Sequence, residues 1–112
     1  MSAILAFPTF RHSDRNGPSI ATLATRLSRI ERTDSNDEQI MDLLVDAERA
    51  ALEILAAAPA QDFADVALKL GSFVRRLEAD DCHCVSDDDM TLLLATLADV
   101  TRLSGVPVAI QA

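Results

Sequence analysis

Apolar residues recur at intervals of three and four along most of the chain, in four runs separated by proline, glycine or clusters of acidic residues. Such spacing places the apolar side chains on one face of a helix. It predicts helices over about residues 19–32, 35–57, 62–80 and 86–104. The pattern therefore predicts an all-α fold, a small bundle of about four helices whose short connections make antiparallel helical hairpins.

Capping residues stand at the expected helix ends. Ser35, three residues before a glutamate, predicts a capping box at the start of the second helix. Pro59 ends that helix, because the residue before a proline avoids the α region. Asp62 and Ser86 are favourable N-caps for the third and fourth helices, and Gly105 is a favourable residue just beyond the last one.

The predicted core consists of the most regularly spaced apolar residues. On the second helix they are Ile40, Leu43, Leu44, Ala47, Ala50, Ala51 and Ile54. On the third they are Phe63, Val66, Ala67, Leu70, Phe73, Val74 and Leu77, and on the fourth Met90, Leu93, Leu94, Leu97 and Val100. The polar residues of the third helix, among them Lys69 and Ser72, avoid this face, which indicates an ordinary outer helix.

Further apolar residues lie off these faces and form the predicted partner interface. Met41, Val45 and Leu52 make a second stripe on the second helix, about 100° from the first. Leu92 and Leu103 lie off the main face of the fourth helix. One small bundle cannot cover this much apolar surface, so we expect these residues to bind a protein partner or a second copy of the chain in a homodimer.

Charge is distributed unevenly along the 112 residues. The net charge is −8, yet the first 32 residues carry five arginines and only two acids. An acidic body repels phosphate backbones, so we expect no nucleic-acid binding. The basic segment is expected to lie against the acidic body, in the same chain or in a partner. We expect an irregular arm over residues 1–18, a bundle domain over 19–105 and a short apolar tail over 106–112.

No run of about 20 apolar residues exists in the sequence, and the N-terminus lacks the basic region of a signal peptide. We therefore expect a cytoplasmic protein without a membrane association. No Gly-rich phosphate loop and no nucleophile motif occurs. The sequence predicts neither an enzyme nor a bound cofactor.

One short cluster holds the types of residue that bind metals. Cys82, His83 and Cys84 are adjacent, and thiolate and imidazole suit zinc, but structural zinc usually takes four such ligands. The nearby Asp80 and Asp81 are hard ligands that also oppose a thiolate. Two cysteines one residue apart make no disulfide framework, so we expect two ordinary thiols.

Residues 54–70 read ILAAAPAQDFADVALKL. This segment resembles a loose group of small uncharacterised α-helical proteins of α-proteobacteria, in which a helix ends in Ala and Pro-Ala before a capped, Ala-rich helix. The resemblance covers roughly residues 35–80. It implies a helical hairpin and carries no activity or site residues.

The sequence as a whole predicts a non-enzymatic protein–protein interaction module that acts as a homodimer. A small metal-binding or thiol-redox protein, centred on Cys82, His83 and Cys84, is the first alternative. The second is an acidic inhibitor that mimics nucleic acid. It requires Asp42, Asp46 and Glu53 to belong to one continuous acidic surface, which pairing with Arg26 and Arg29 would remove.

Overall fold

A computed structural model of the chain describes residues 17–105. The predicted arm, apart from residues 17 and 18, and the predicted tail lie outside this range. The described part contains four helices and no strand, which confirms the all-α bundle. The helices are α1 (Ile20–Arg32), α2 (Glu38–Ala57), α3 (Phe63–Ala79) and α4 (Asp87–Ser104).

Side-chain caps fix where the helices begin. Asp62 and Ser86 cap α3 and α4 as predicted, each accepting a hydrogen bond from the backbone three residues on. The predicted cap of α2 is wrong by two residues. Asp37 is the N-cap, and its carboxylate accepts from the backbone N–H groups of Gln39 and Ile40. Ser35 instead supports Asp37, because its hydroxyl accepts a hydrogen bond from the Asp37 N–H.

The helices pack in a ring in the order α1, α2, α4, α3. Helices α3 and α4 are antiparallel, because the end of α3 meets the start of α4 through Arg76 and Asp89. Helices α2 and α4 run in the same direction. Arg49 in the middle of α2 pairs with Asp88 at the start of α4, and the carbonyls at the end of α2 share the Lys69 ammonium with Asp99, further along α4. Helices α2 and α3 are joined at a sharp corner but lie diagonally across the ring, so the predicted hairpin between them is not a packed pair.

The core lies inside this ring. Its fully buried members come from all four helices and are Ile20, Leu23, Leu27, Ala51, Leu52, Leu55, Ala56, Phe73 and Leu92. On α1, the buried Ile20, Leu23 and Leu27 share the face on which the apolar residues of that helix recur. On α2, however, the predicted core face is largely outside: Leu43 is 66% exposed, Ile54 51% and Ile40 45%.

The same displacement occurs on α3 and α4. Phe63, Leu70 and Met90 are exposed, although each was predicted to be in the core. Lys69 and Ser72, predicted on the polar face of α3, are buried. The physical reason is that Lys69 finds three acceptors inside the bundle, which offset the loss of water around its charge. Within the described residues, no helix is long and apolar enough to cross a membrane.

Candidate functional site

The outward face of α2 carries a row of exposed apolar residues. Ile40, Leu43, Ala47, Ala50 and Ile54 follow one another at steps of three or four residues along the whole helix. The three large side chains are about half exposed or more. The alanines between them are small enough for another helix to approach closely. A stripe of this length on a single chain is typical of a binding surface.

An acidic edge borders the stripe on the side of α4. At 100° per residue, Asp42, Asp46 and Glu53 fall on one side of the stripe, together with Arg49. Arg49 identifies that side, because it pairs with Asp88 of α4. None of the three acids forms an ion pair within residues 17–105, and all three are exposed.

A basic edge borders the stripe on the side of α1. Glu31 marks the α3 side of α1, because its carboxylate accepts hydrogen bonds from Arg75 and Arg76. Arg26 and Arg29 lie about 140° and 160° round the helix from Glu31, in opposite senses, so both point away from the α3 contact. Both are exposed. Acids therefore lie along one edge of the α2 stripe, and exposed arginines lie on α1, the helix that packs against the other side of α2.

The five residues predicted as a partner interface do not form one surface. Leu52 and Leu92 are fully buried in the core of the single chain, which leaves them no surface for a partner. Met41 and Leu103 are partly buried. Val45 is 50% exposed. Val45 lies on the side of α2 that faces the inside of the ring. This part of α2 lies beyond the start of α4, so α4 does not cover Val45.

A cleft of about 510 Å³ lies where all four helices meet near the ends of α1 and α3. Its centre is Arg76, whose guanidinium donates to Glu31 at 2.9 Å, to Glu48 at 2.6 Å and to Asp89 at 2.5 Å. Burial alone would lower the pKa of Arg76, but the hydrogen bonds to these three carboxylates raise it above its ordinary value. The cation thus ties α3 to each of the other helices, which is a structural role.

A second buried cation secures the corner between α2 and α3. The Lys69 ammonium donates to the Asp99 carboxylate at 2.7 Å, to the Ala58 carbonyl at 2.9 Å and to the Ala56 carbonyl at 3.2 Å. These carbonyls belong to the end of α2, where no intrahelical partner exists. Arg102 donates to the other Asp99 oxygen and to the Ala60 carbonyl.

The pKa of Asp99 follows from these contacts. Burial alone would raise it, but the hydrogen bonds from Lys69 and Arg102 hold the pKa of the carboxyl below its ordinary value. All three ammonium hydrogens of Lys69 have an acceptor, and the pair is inaccessible. The arrangement therefore fixes a backbone corner and presents no reactive group to a substrate.

The Cys82-His83-Cys84 cluster differs from its prediction. In the structure the two cysteines are joined to each other by a disulfide, so neither sulfur is a thiolate ligand. His83 stands between them with φ of +54°. Within residues 17–105, no group of three or more His, Cys, Asp or Glu side chains could hold a metal ion. The predicted pair of free thiols is therefore wrong for this form of the protein.

The sequence contained a partial signal for the α2 stripe. Its members share one face at regular spacing, which predicted them in the core. The buried residues of α2 are instead Leu52 from the second stripe, Ala51 from the predicted core face, and Leu55 and Ala56 from neither. A helix with apolar residues on both sides has one face in the core and one outside, and spacing alone does not say which. The paired acids and bases across the ring decide that orientation.

No protein-family model, no curated protein and no solved structure matches the chain. The resemblance drawn from residues 54–70 therefore stays a prediction, and function has to be argued from the surface itself.

Proposed function

We propose that this protein is a non-enzymatic interaction module that forms a homodimer through the outward face of α2. The observation that carries the proposal is the exposure of Leu43, Ile54 and Ile40 along one uninterrupted stripe. Covering these side chains with a second copy would remove apolar surface from water, at about 25 cal/mol for each Å².

Charge complementarity favours a second copy as the occupant. If the two-fold axis runs parallel to α2, the two stripes meet face to face in the same direction. The acidic edge of each copy, with Asp46 and Glu53, then faces the arginine edge of the other, with Arg26 and Arg29. An antiparallel arrangement would instead bring like charges together. A protein partner with a uniformly basic surface would be attracted to the acidic edge of the stripe and repelled by the arginine edge.

The available area fits a dimer of moderate strength. Helix α2 has 20 residues and α1 has 13. At 1.5 Å per residue and about 10 Å of width, the face spans roughly 500 Å² in projection. Its accessible area is larger because side chains make it uneven, and so approaches the ~800 Å² per partner of a standard interface. We expect dissociation constants on the order of micromolar.

The test is sedimentation equilibrium of the whole chain over a wide concentration range. We expect a monomer–dimer equilibrium that Leu43→Glu weakens more than tenfold, because a charge would be buried against apolar side chains. Leu94→Glu is the matched control: Leu94 is 51% exposed, on α4, outside the proposed interface. It should leave the equilibrium unchanged.

A charge exchange tests the arrangement of the two copies. Arg26→Glu with Arg29→Glu should weaken the dimer, and adding Asp46→Arg with Glu53→Arg should restore it. Added salt should also weaken the dimer, since unlike charges meet at its edges. A strictly monomeric wild type at millimolar concentration would refute the homodimer. A dimer strengthened by salt would refute the parallel arrangement.

A further inference from the structure

The connection between α3 and α4 holds a disulfide that neither the packing nor the proposed dimer uses. Cys82 and Cys84 are bonded to each other across a single residue. Residues 79–87 are all exposed, which places the bridge at the protein surface. The bridge closes only its own short loop, because α3 ends at Ala79 and α4 begins at Asp87.

The loop also carries a backbone constraint at the bridge itself. His83 lies between the two cysteines with φ of +54°, a region that side chains other than glycine rarely adopt. No other described residue except glycine has a positive φ. We expect opening of the bridge to free this residue to adopt ordinary backbone angles. An exposed bridge that holds a residue in this region is the kind that exchanges readily.

Three carboxylates close to the bridge in the chain form no ion pair within residues 17–105. They belong to Asp80, Asp81 and Asp87, all exposed. One Asp80 oxygen lies 3.2 Å from the Cys82 sulfur and accepts a hydrogen bond from the Cys82 N–H. An incoming thiolate that carries further negative charge is therefore repelled, whereas one with a cationic group is attracted.

We propose that Cys82 and Cys84 form a thiol–disulfide exchange site whose acidic surroundings favour thiols that carry a positive charge. A thiolate attacks one sulfur of the pair, forming a mixed disulfide and releasing the other cysteine as a thiolate. A second thiolate then attacks the mixed disulfide and leaves as part of a small disulfide. Two electrons pass from two thiols to the pair, and the thiol protons end on Cys82 and Cys84.

The experiment follows the oxidised full chain in cysteamine, in 2-mercaptoethanol and in 2-mercaptoethanesulfonate, which are cationic, neutral and anionic thiols. Samples are alkylated at intervals, and intact mass counts the free thiols. Each rate is divided by the rate of the same thiol with a neutral small disulfide, which removes differences in intrinsic reactivity. We expect two thiols to appear in the monomer mass, and cysteamine to react about tenfold faster than the sulfonate at low salt.

Two further measurements connect this preference to the loop. Asp80→Asn with Asp81→Asn should reduce the ratio several-fold, because it removes two negative charges next to the bridge. Salt at 0.5 M should bring the ratio towards one. The proposal is overturned if oxidised protein contains two free thiols, if it carries disulfides between chains, or if the three thiols react at equal normalised rates.

Discussion

Replacing Lys69 with methionine tests how the α2–α3 corner is held. Methionine keeps the length and the apolar stem of the side chain but removes the ammonium group. Three hydrogen bonds disappear, to the Asp99 carboxylate and to the Ala56 and Ala58 carbonyls. Asp99 stays buried with Arg102 as its remaining cation. Breaking one side of a buried ion pair typically costs about 3–5 kcal/mol.

That loss is a large part of the total stability of a small domain, which is usually about 5–15 kcal/mol. We expect Lys69→Met to lower the free energy of unfolding by about 3–5 kcal/mol, and with it the urea midpoint. The assay is urea unfolding followed by far-ultraviolet circular dichroism, at one protein concentration so that association does not alter the comparison. The matched control is Arg75→Met on the same helix. Its ion pair with Glu31 is partly exposed, so its loss should cost less than about 1 kcal/mol.

The dependence of the free energy of unfolding on pH tests the same Lys69–Asp99 ion pair. The pKa of Asp99 is lower in the folded protein than the ordinary value of 3.8. Its contribution to the free energy of unfolding is therefore present above about pH 4 and is lost as the pH falls through the lowered value. Asp99→Asn should lack this part of the acid dependence. An unfolding midpoint for Lys69→Met equal to that of Arg75→Met would refute the reasoning.

Three further predictions follow from other contacts. Arg76→Met should lower the free energy of unfolding by about 3 kcal/mol, as urea unfolding would show, because three carboxylates lose the cation that they share. Cys82→Ser with Cys84→Ser should change the free energy of unfolding by less than about 1 kcal/mol, because closing a three-residue loop removes little entropy from the unfolded chain and because the backbone cost at His83 is relieved. A larger change, measured by thermal unfolding, would contradict this. Gly105→Ala should destabilise the protein by about 1 kcal/mol, because φ at this position is +72°. Gly71→Ala lies inside a helix with open space for a Cβ, so it should stabilise the protein by about 0.5–1 kcal/mol. Equal melting temperatures for the two variants would refute this reasoning.

The sequence by itself determined the number, type and ends of the helices. Apolar spacing of three and four residues requires a helix to bring those side chains together, whatever the helix packs against. Local hydrogen bonds decide the ends, which is why Asp62, Ser86 and Gly105 stand where capping rules place them. The error at Ser35 is local as well: two polar residues could cap α2, and Asp37 makes the bond.

Only the tertiary structure decided which face of each helix is inside. Helix α2 has apolar residues on most of its circumference. An isolated α2 helix therefore has no preference between the orientation that buries Leu52 and the one that buries Leu43. The choice comes from contacts between residues far apart in sequence, such as Lys69 with Asp99 and Arg76 with Glu31. A buried cation requires acceptors that only the assembled ring supplies. The same ring leaves the α2 stripe exposed, and with it the surface on which the proposed dimer depends.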